Sequence, residues 1–134
     1  MKKQLTLLLV DDDDDDRKLF IESVKEVDEE IVCIQVPGGQ ECLNYLNDLS
    51  NKLPDYIFLD LRMPKVSGQK CLDEIKKVPR LSNIPVFVYS TSTDKEDIKN
   101  LGEQGAVMFI SKPTDPHEIY YLISTIIGEK WARF

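Results

Sequence analysis

No stretch of this 134-residue chain is apolar for long enough to cross a membrane. The N-terminal MKKQLTLLLV begins as a secretory leader would, with two lysines and an apolar run. Asp11 ends that run too soon, and no small-residue cleavage site follows. Cysteine is scarce: Cys33, Cys42 and Cys71 form no CxxC pair, and an odd number cannot all pair within the chain. They are expected to be reduced, small buried hydrophobes, which suits a cytoplasmic protein. A basic excess is also missing. Seventeen Lys and Arg stand against 24 Asp and Glu, a formal net charge of −7. That balance argues against nucleic acid and anionic membranes as partners. The single histidine, His117, is expected on the solvent face of a helix.

With 42 % hydrophobic residues, the chain has apolar content for one core and too little for two ordinary domains. It reads as one domain over 1–134, with no linker, repeat or output domain. Short apolar runs at Leu5–Val10, Ile31–Val36, Tyr56–Leu59, Val86–Tyr89 and Val107–Ile110 are mostly not alternating. That suits strands covered on both faces. Helical stripes lie between and after them: Leu19, Phe20, Val24, Val27; then Cys42, Leu43, Leu46, Leu49; then Cys71, Leu72, Ile75. Ile98 with Leu101 is a weaker stripe, and Ile119, Leu122, Ile123, Ile126, Ile127 the strongest. Turn signals such as Pro37-Gly38-Gly39 and Pro64-Lys65-Val66-Ser67-Gly68 separate them. The prediction is an α/β fold, a doubly wound five-stranded parallel sheet of (βα)5 order.

Ligands of such sheets bind at the carboxyl ends of the strands. The first strand delivers Asp11 and Asp12, the third Asp60, the fourth Ser90 and Thr91, the fifth Ser111 and Lys112. Asp11 and Asp12 open a run of six aspartates, Asp11 to Asp16. Two carboxylates about 4 Å apart repel by roughly 4 kcal/mol at an effective dielectric of 20. Either one of the clustered acids is protonated or a divalent cation sits among them. Oxygen ligands favour Mg²⁺, which uses one or two carboxylates and leaves positions for phosphoryl oxygens. Lys112 would hold a phosphate oxygen, the Ser90 hydroxyl would donate to another, and a carboxylate can itself be the nucleophile. Asp13 to Asp16 are expected to cover the loop and first turn of the first helix, where negative charge meets the positive helix end.

Three rivals each lack a part. Asp11, Asp13, Asp15 and Glu22 fall at calcium-loop positions, but the required glycine is Asp16. A phosphatase of the haloacid dehalogenase type needs a second Asp two residues after its nucleophile, and that position is Arg62. A flavodoxin needs a Ser/Thr/Gly-rich phosphate loop after the first strand, where six aspartates stand instead.

LLLVDD, YIFLDLRMPKVSG, IPVFVYST and VMFISKP, in that order, resemble the receiver domain of two-component response regulators. Ser90 follows Asp60 by 30 residues and Lys112 follows it by 52, which also fits the family. The resemblance implies a flavodoxin-like, CheY-like fold. By it, Asp60 is the phosphoacceptor, Asp12 a direct Mg²⁺ ligand, Asp11 one acting largely through water, and the Arg62 backbone carbonyl a further ligand. Ser90 is the switch hydroxyl with Thr91 beside it, Phe109 the switch aromatic, and Lys112 the phosphate-binding lysine. A cis peptide is expected before Pro113. Ser92 and Arg62 would influence the acyl-phosphate lifetime. The phosphoryl donor would be a sensor histidine kinase or a histidine phosphotransfer protein. Output would pass to a downstream protein through the surface of the fourth helix, fifth strand and fifth helix, in a monomer or a phosphorylation-linked dimer. The chain is then no enzyme beyond slow self-dephosphorylation. A relay intermediate and a phosphorylation-independent binding module remain open. Tyr120, Tyr121, Trp131 and Phe134 either finish the core edge or form that partner surface.

Overall fold

Strand and helix alternate five times among the described residues, 4–91 and 94–128 of the computed structural model. In chain order they are β1 (Thr6–Val10), α1 (Asp14–Val27), β2 (Val32–Val36), α2 (Gly39–Asn47) and β3 (Tyr56–Leu59). Then come α3 (Gly68–Lys77), β4 (Val86–Ser90), α4 (Lys95–Glu103), β5 (Met108–Ser111) and α5 (Pro116–Gly128). The strands form one parallel sheet in the order β2-β1-β3-β4-β5. The order reverses between β1 and β3, and such a reversal opens a crevice at the strand ends.

The continuous apolar runs have the cause expected of them. Every residue of β1, β3 and β4 is buried, because helices cover both faces. The edge strands β2 and β5 are partly exposed, and Val32 and Met108 face solvent. Strand alternation divides the core in two. Leu8, Val10, Ile57, Leu59, Val86 and Val88 pack with α2, α3 and Leu101 of α4. Leu7, Leu9, Tyr56, Phe58, Phe87 and Tyr89 pack with Phe20 and Val24 of α1 and with Ile119, Ile123 and Ile126 of α5. Phe58 is central to the second cluster, with ring centroids 4.9 Å from Phe20 and 5.3 Å from Phe87.

Two expectations are corrected or left aside. Leu49 does not extend the α2 stripe; it is 80 % exposed. The helix ends at Asn47, and the Asp48 carboxylate accepts from the Ser50 N–H and hydroxyl, turning the chain outward. Trp131, Phe134 and Ser92 lie outside the described residues. The cysteines are free, with Cys42 and Cys71 buried, and His117 is exposed as expected. No helix among the described residues is long and apolar enough to cross a membrane.

Phe58→Ala is expected to lower the unfolding free energy by about 3–5 kcal/mol through the cavity it leaves. Leu49→Ala should change it by less than about 0.5 kcal/mol. Urea unfolding of both variants checks the contrast.

Candidate functional site

The acidic run is held by the start of α1. Asp13 is the N-cap in an extended conformation, and its carboxylate accepts from the Asp16 N–H at 3.0 Å. Asp14, Asp15 and Asp16 fill the first turn, against the positive end of the helix. Arg17 ion-pairs with Asp14, and its guanidinium donates to the Asp11 carbonyl. These contacts bear out the structural part expected of Asp13 to Asp16.

Asp11 and Asp60 are neighbours because β1 and β3 pair in register, Val10 opposite Leu59. The Asp60 N–H donates to the Val10 carbonyl at 2.9 Å. Asp11 Oδ1 accepts from the Asp13 N–H at 2.9 Å, which turns the chain and leaves Asp12 on the exposed rim. Asp11 is 1 % exposed and Asp60 6 %. Carboxylate oxygens of Asp11, Asp12 and Asp60 all lie within 4.8 Å of one another.

Lys112 enters from the end of β5, where its N–H donates to the Ser90 carbonyl at 3.0 Å. Its Nζ lies 2.7 Å from Asp11 Oδ2, 2.9 Å from Asp16 Oδ2 and 3.2 Å from Asp60 Oδ2. It also stands 5.9 Å from the Tyr89 ring centre. Burial alone would lower the lysine pKa, but the carboxylates of Asp11, Asp16 and Asp60 outweigh it and raise the pKa above its ordinary value. Burial pushes the Asp11 carboxyl up to about 6, against the lowering by Lys112 and the Asp13 N–H, and the Asp60 charge adds to the rise.

The 2.7 Å approach of Lys112 Nζ to Asp11 Oδ2 is the shortest of the three ion pairs this ammonium makes. Three carboxylates, each with an oxygen within 4.8 Å of the others, make an all-oxygen donor set that fits a hard divalent cation.

Ser90 is buried at the end of β4, and Thr91 is exposed on the rim. By alternation Ser90 continues the face of Val86 and Val88, and Phe109 packs into that same cluster. Asp11, Asp60 and Lys112 continue the opposite face, that of α1 and α5. The Arg62 N–H lies 3.4 Å from Asp60 Oδ1, while its guanidinium reaches outward to Asp97 of α4 at 3.7 Å. The Lys112–Pro113 peptide is trans, since no described peptide bond is cis. An X–Pro bond prefers trans by about 0.5–1 kcal/mol, and Lys112 reaches its three carboxylates without the cis form.

Two residues gained a part that sequence reasoning had not assigned. Asp16 touches Lys112 across 96 positions of sequence, a contact no local pattern signals. Gly68 was visible only as a turn residue. Its N–H donates to the Leu61 carbonyl at 2.9 Å, and a Cβ there would stand 2.2 Å from the Asp60 carbonyl oxygen and 2.7 Å from Leu61 Cα. A glycine opening a helix directly after the loop that follows Asp60 was the available signal.

A family model described as the response regulator receiver domain matches residues 7–124. The chain belongs to that family. The receiver is 33 % identical over 96 residues to a probable methanogenesis regulatory protein, FilR2, of Methanothrix harundinacea, covering 69 % of this chain and 61 % of that protein. It is 38 % identical over 96 residues to a probable C4-dicarboxylate response regulator, DctR, of Bacillus subtilis, covering 72 % of this chain and 39 % of that protein. It thus spans less than two thirds of either relative's length. The crystal structure of the phosphorylated cyanobacterial phytochrome response regulator RcpA superposes with a TM-score of 0.84 at 30 % identity, covering 92 % of this chain and 91 % of that one. The Mn²⁺-bound form of response regulator Rcp1 superposes with a TM-score of 0.85 at 26 % identity, covering 97 % and 99 %.

Protons compete with a cation for Asp11, so divalent-cation affinity is expected to fall as pH drops through about 6 and to level off above it. Asp11→Asn should flatten that profile in a Mn²⁺ titration. The folded carboxyl also holds its proton more tightly than at the ordinary 3.8, so the stability this proton contributes without added cation is lost as pH rises through about 6. Gly68→Ala forces backbone apart at Asp60 and is expected to cost about 2–4 kcal/mol in thermal or urea unfolding.

Proposed function

We propose that Asp60 accepts a phosphoryl group from the phosphohistidine of a sensor histidine kinase or a histidine phosphotransfer protein, and that the acyl phosphate switches binding to a downstream protein. The observation that carries this reading is the buried Lys112 ammonium standing 3.2 Å from Asp60, with Asp11 beside it. A carboxylate nucleophile needs a fixed position and nearby positive charge to meet an anionic donor.

Asp11, Asp12, Asp60 and the Arg62 backbone carbonyl would hold Mg²⁺. When bound, Mg²⁺ neutralises charge on the donor's phosphoryl oxygens. An Asp60 carboxylate oxygen attacks phosphorus, the bond from phosphorus to the histidine nitrogen breaks, and the imidazole leaves. Lys112 binds one phosphoryl oxygen and the Ser90 hydroxyl donates to another, with Thr91 at the rim. Water can later cleave the acyl phosphate slowly, which is the only catalysis in this reading.

The output path runs through the sheet. Ser90 and Phe109 share one face of it, so a hydroxyl drawn toward the phosphoryl group vacates space that Phe109 fills. The surface beyond is the face of α4, β5 and α5, where Val107, Met108 and Tyr121 are exposed. Exposed apolar side chains of that size suit a protein partner, either a target or a second copy of the chain. The acidic balance does not suit nucleic acid or an anionic membrane, and the free cysteines suit the cytoplasm.

Intact mass after incubation with a small acyl-phosphate donor is expected to rise by one phosphoryl group in wild type, only with Mg²⁺, and not in Asp60→Asn. No gain in wild type from the small donor or from a cognate kinase, with the fold intact, would leave a phosphorylation-independent binding module.

A further inference from the structure

Lys112 has three N–H donors and three carboxylates around it, from Asp11, Asp16 and Asp60. Two of those, Asp11 and Asp60, belong to the acidic triad that fits a divalent cation; Asp16 does not. A cation in the triad draws on the same two carboxylates that steady the ammonium, and its own charge repels the ammonium. Asp16 is then the counter-ion left to Lys112 alone.

The base of Asp16 is rigid. Its N–H is held by the Asp13 cap, and α1 is pinned to the sheet by the fully buried Phe20 and Val24. Its Oδ2 accepts from Lys112 Nζ at 2.9 Å, and that lysine side chain is 8 % exposed. We infer that Asp16 is a positioning residue for Lys112: it keeps the ammonium at the mouth of the site while the acidic triad is occupied by a cation. Asp16 touches neither the phosphoryl group nor the cation in this role. It acts by pre-placing a positive charge where a phosphoryl oxygen arrives. The inference rests on the phosphoacceptor reading of Asp60 for its consequence, but its geometric content is separately measurable.

The test compares wild type, Asp16→Asn and Asp16→Glu in excess Mg²⁺. Asp16→Asn removes the charge and leaves the Asp13 cap. Asp16→Glu keeps the charge at a position that favours glutamate, three residues after the N-cap. The first readout is the side-chain ammonium signal of Lys112 in ¹⁵N-labelled protein, identified by its loss in Lys112→Arg. Mg²⁺ should leave that signal protected in wild type and Asp16→Glu, and should broaden it away in Asp16→Asn. The second readout is the rate of phosphoryl gain from a small acyl-phosphate donor. Asp16→Asn should be slower by about tenfold or more at saturating Mg²⁺, with Asp16→Glu recovering most of the loss. Mn²⁺ affinity should stay within about twofold in both variants, because Asp16 is not among the triad. The inference is overturned if Asp16→Asn keeps the protected signal with Mg²⁺ present, if it gains phosphate at the wild-type rate, or if Asp16→Glu is as defective as Asp16→Asn. A wild type that gains no phosphate defeats the acceptor reading instead, and the ammonium signal then decides the part of Asp16 by itself.

Discussion

One buried ammonium makes the carboxyl edge of this sheet possible. Asp11 and Asp60 are both almost fully buried, and the backbone register of β1 and β3 holds them together. Like charges in so dry a place repel by several kcal/mol unless something opposes them, roughly 4 kcal/mol at 4 Å and a dielectric of 20. Lys112 supplies the opposition from the far side of β4, reaching Asp11, Asp16 and Asp60 at once. The compensation is incomplete. The carboxylates of Asp11, Asp12, Asp16 and Asp60 outnumber that one ammonium, and burial pushes the Asp11 carboxyl up to about 6. A cluster with more carboxylates than ammonium groups carries excess negative charge, which a divalent cation would offset.

The division of the sheet into two faces gives the site two kinds of neighbour. Acids and lysine extend the face under α1 and α5, where Phe20, Phe58, Phe87 and Tyr89 form a rigid aromatic wall. Ser90 and Phe109 extend the face under α2, α3 and α4. The acids and the lysine therefore sit on one side of the strands and Ser90 and Phe109 on the other, joined by the backbone of β4 and β5, where the Lys112 N–H meets the Ser90 carbonyl. The loop from Asp60 to α3 is fitted just as closely. Gly68 lies against the Asp60 carbonyl, and Lys65 takes a left-handed φ of 68° to complete the turn.

The order of elements, the parallel sheet and the strand-end positions of Asp11, Asp60, Ser90 and Lys112 were legible in the sequence. Their signals are local: apolar runs without alternation, helical stripes, and turn residues between them. A parallel sheet then sends every strand's carboxyl end to one edge, so those residues share an edge whatever the side chains do. The aspartates of the first turn were legible for the same reason, since capping is a matter of three or four neighbouring residues. Local pattern failed at Leu49, where one more apolar residue at helical spacing fell beyond the helix end.

Relations across long separations were not legible in this way and came with the folded chain. Asp16 turns its carboxylate to Lys112, Gly68 yields its Cβ space to Asp60, and Asp12 stays on the rim while Asp11 is buried. The trans bond before Pro113 belongs here too, because a peptide isomer depends on where the flanking side chain must reach. Local pattern in the chain was enough to bring these residues to the edge of the sheet. Which of them share an ammonium was settled only by strand register and helix docking, because a charge contact depends on ångströms that periodicity does not carry.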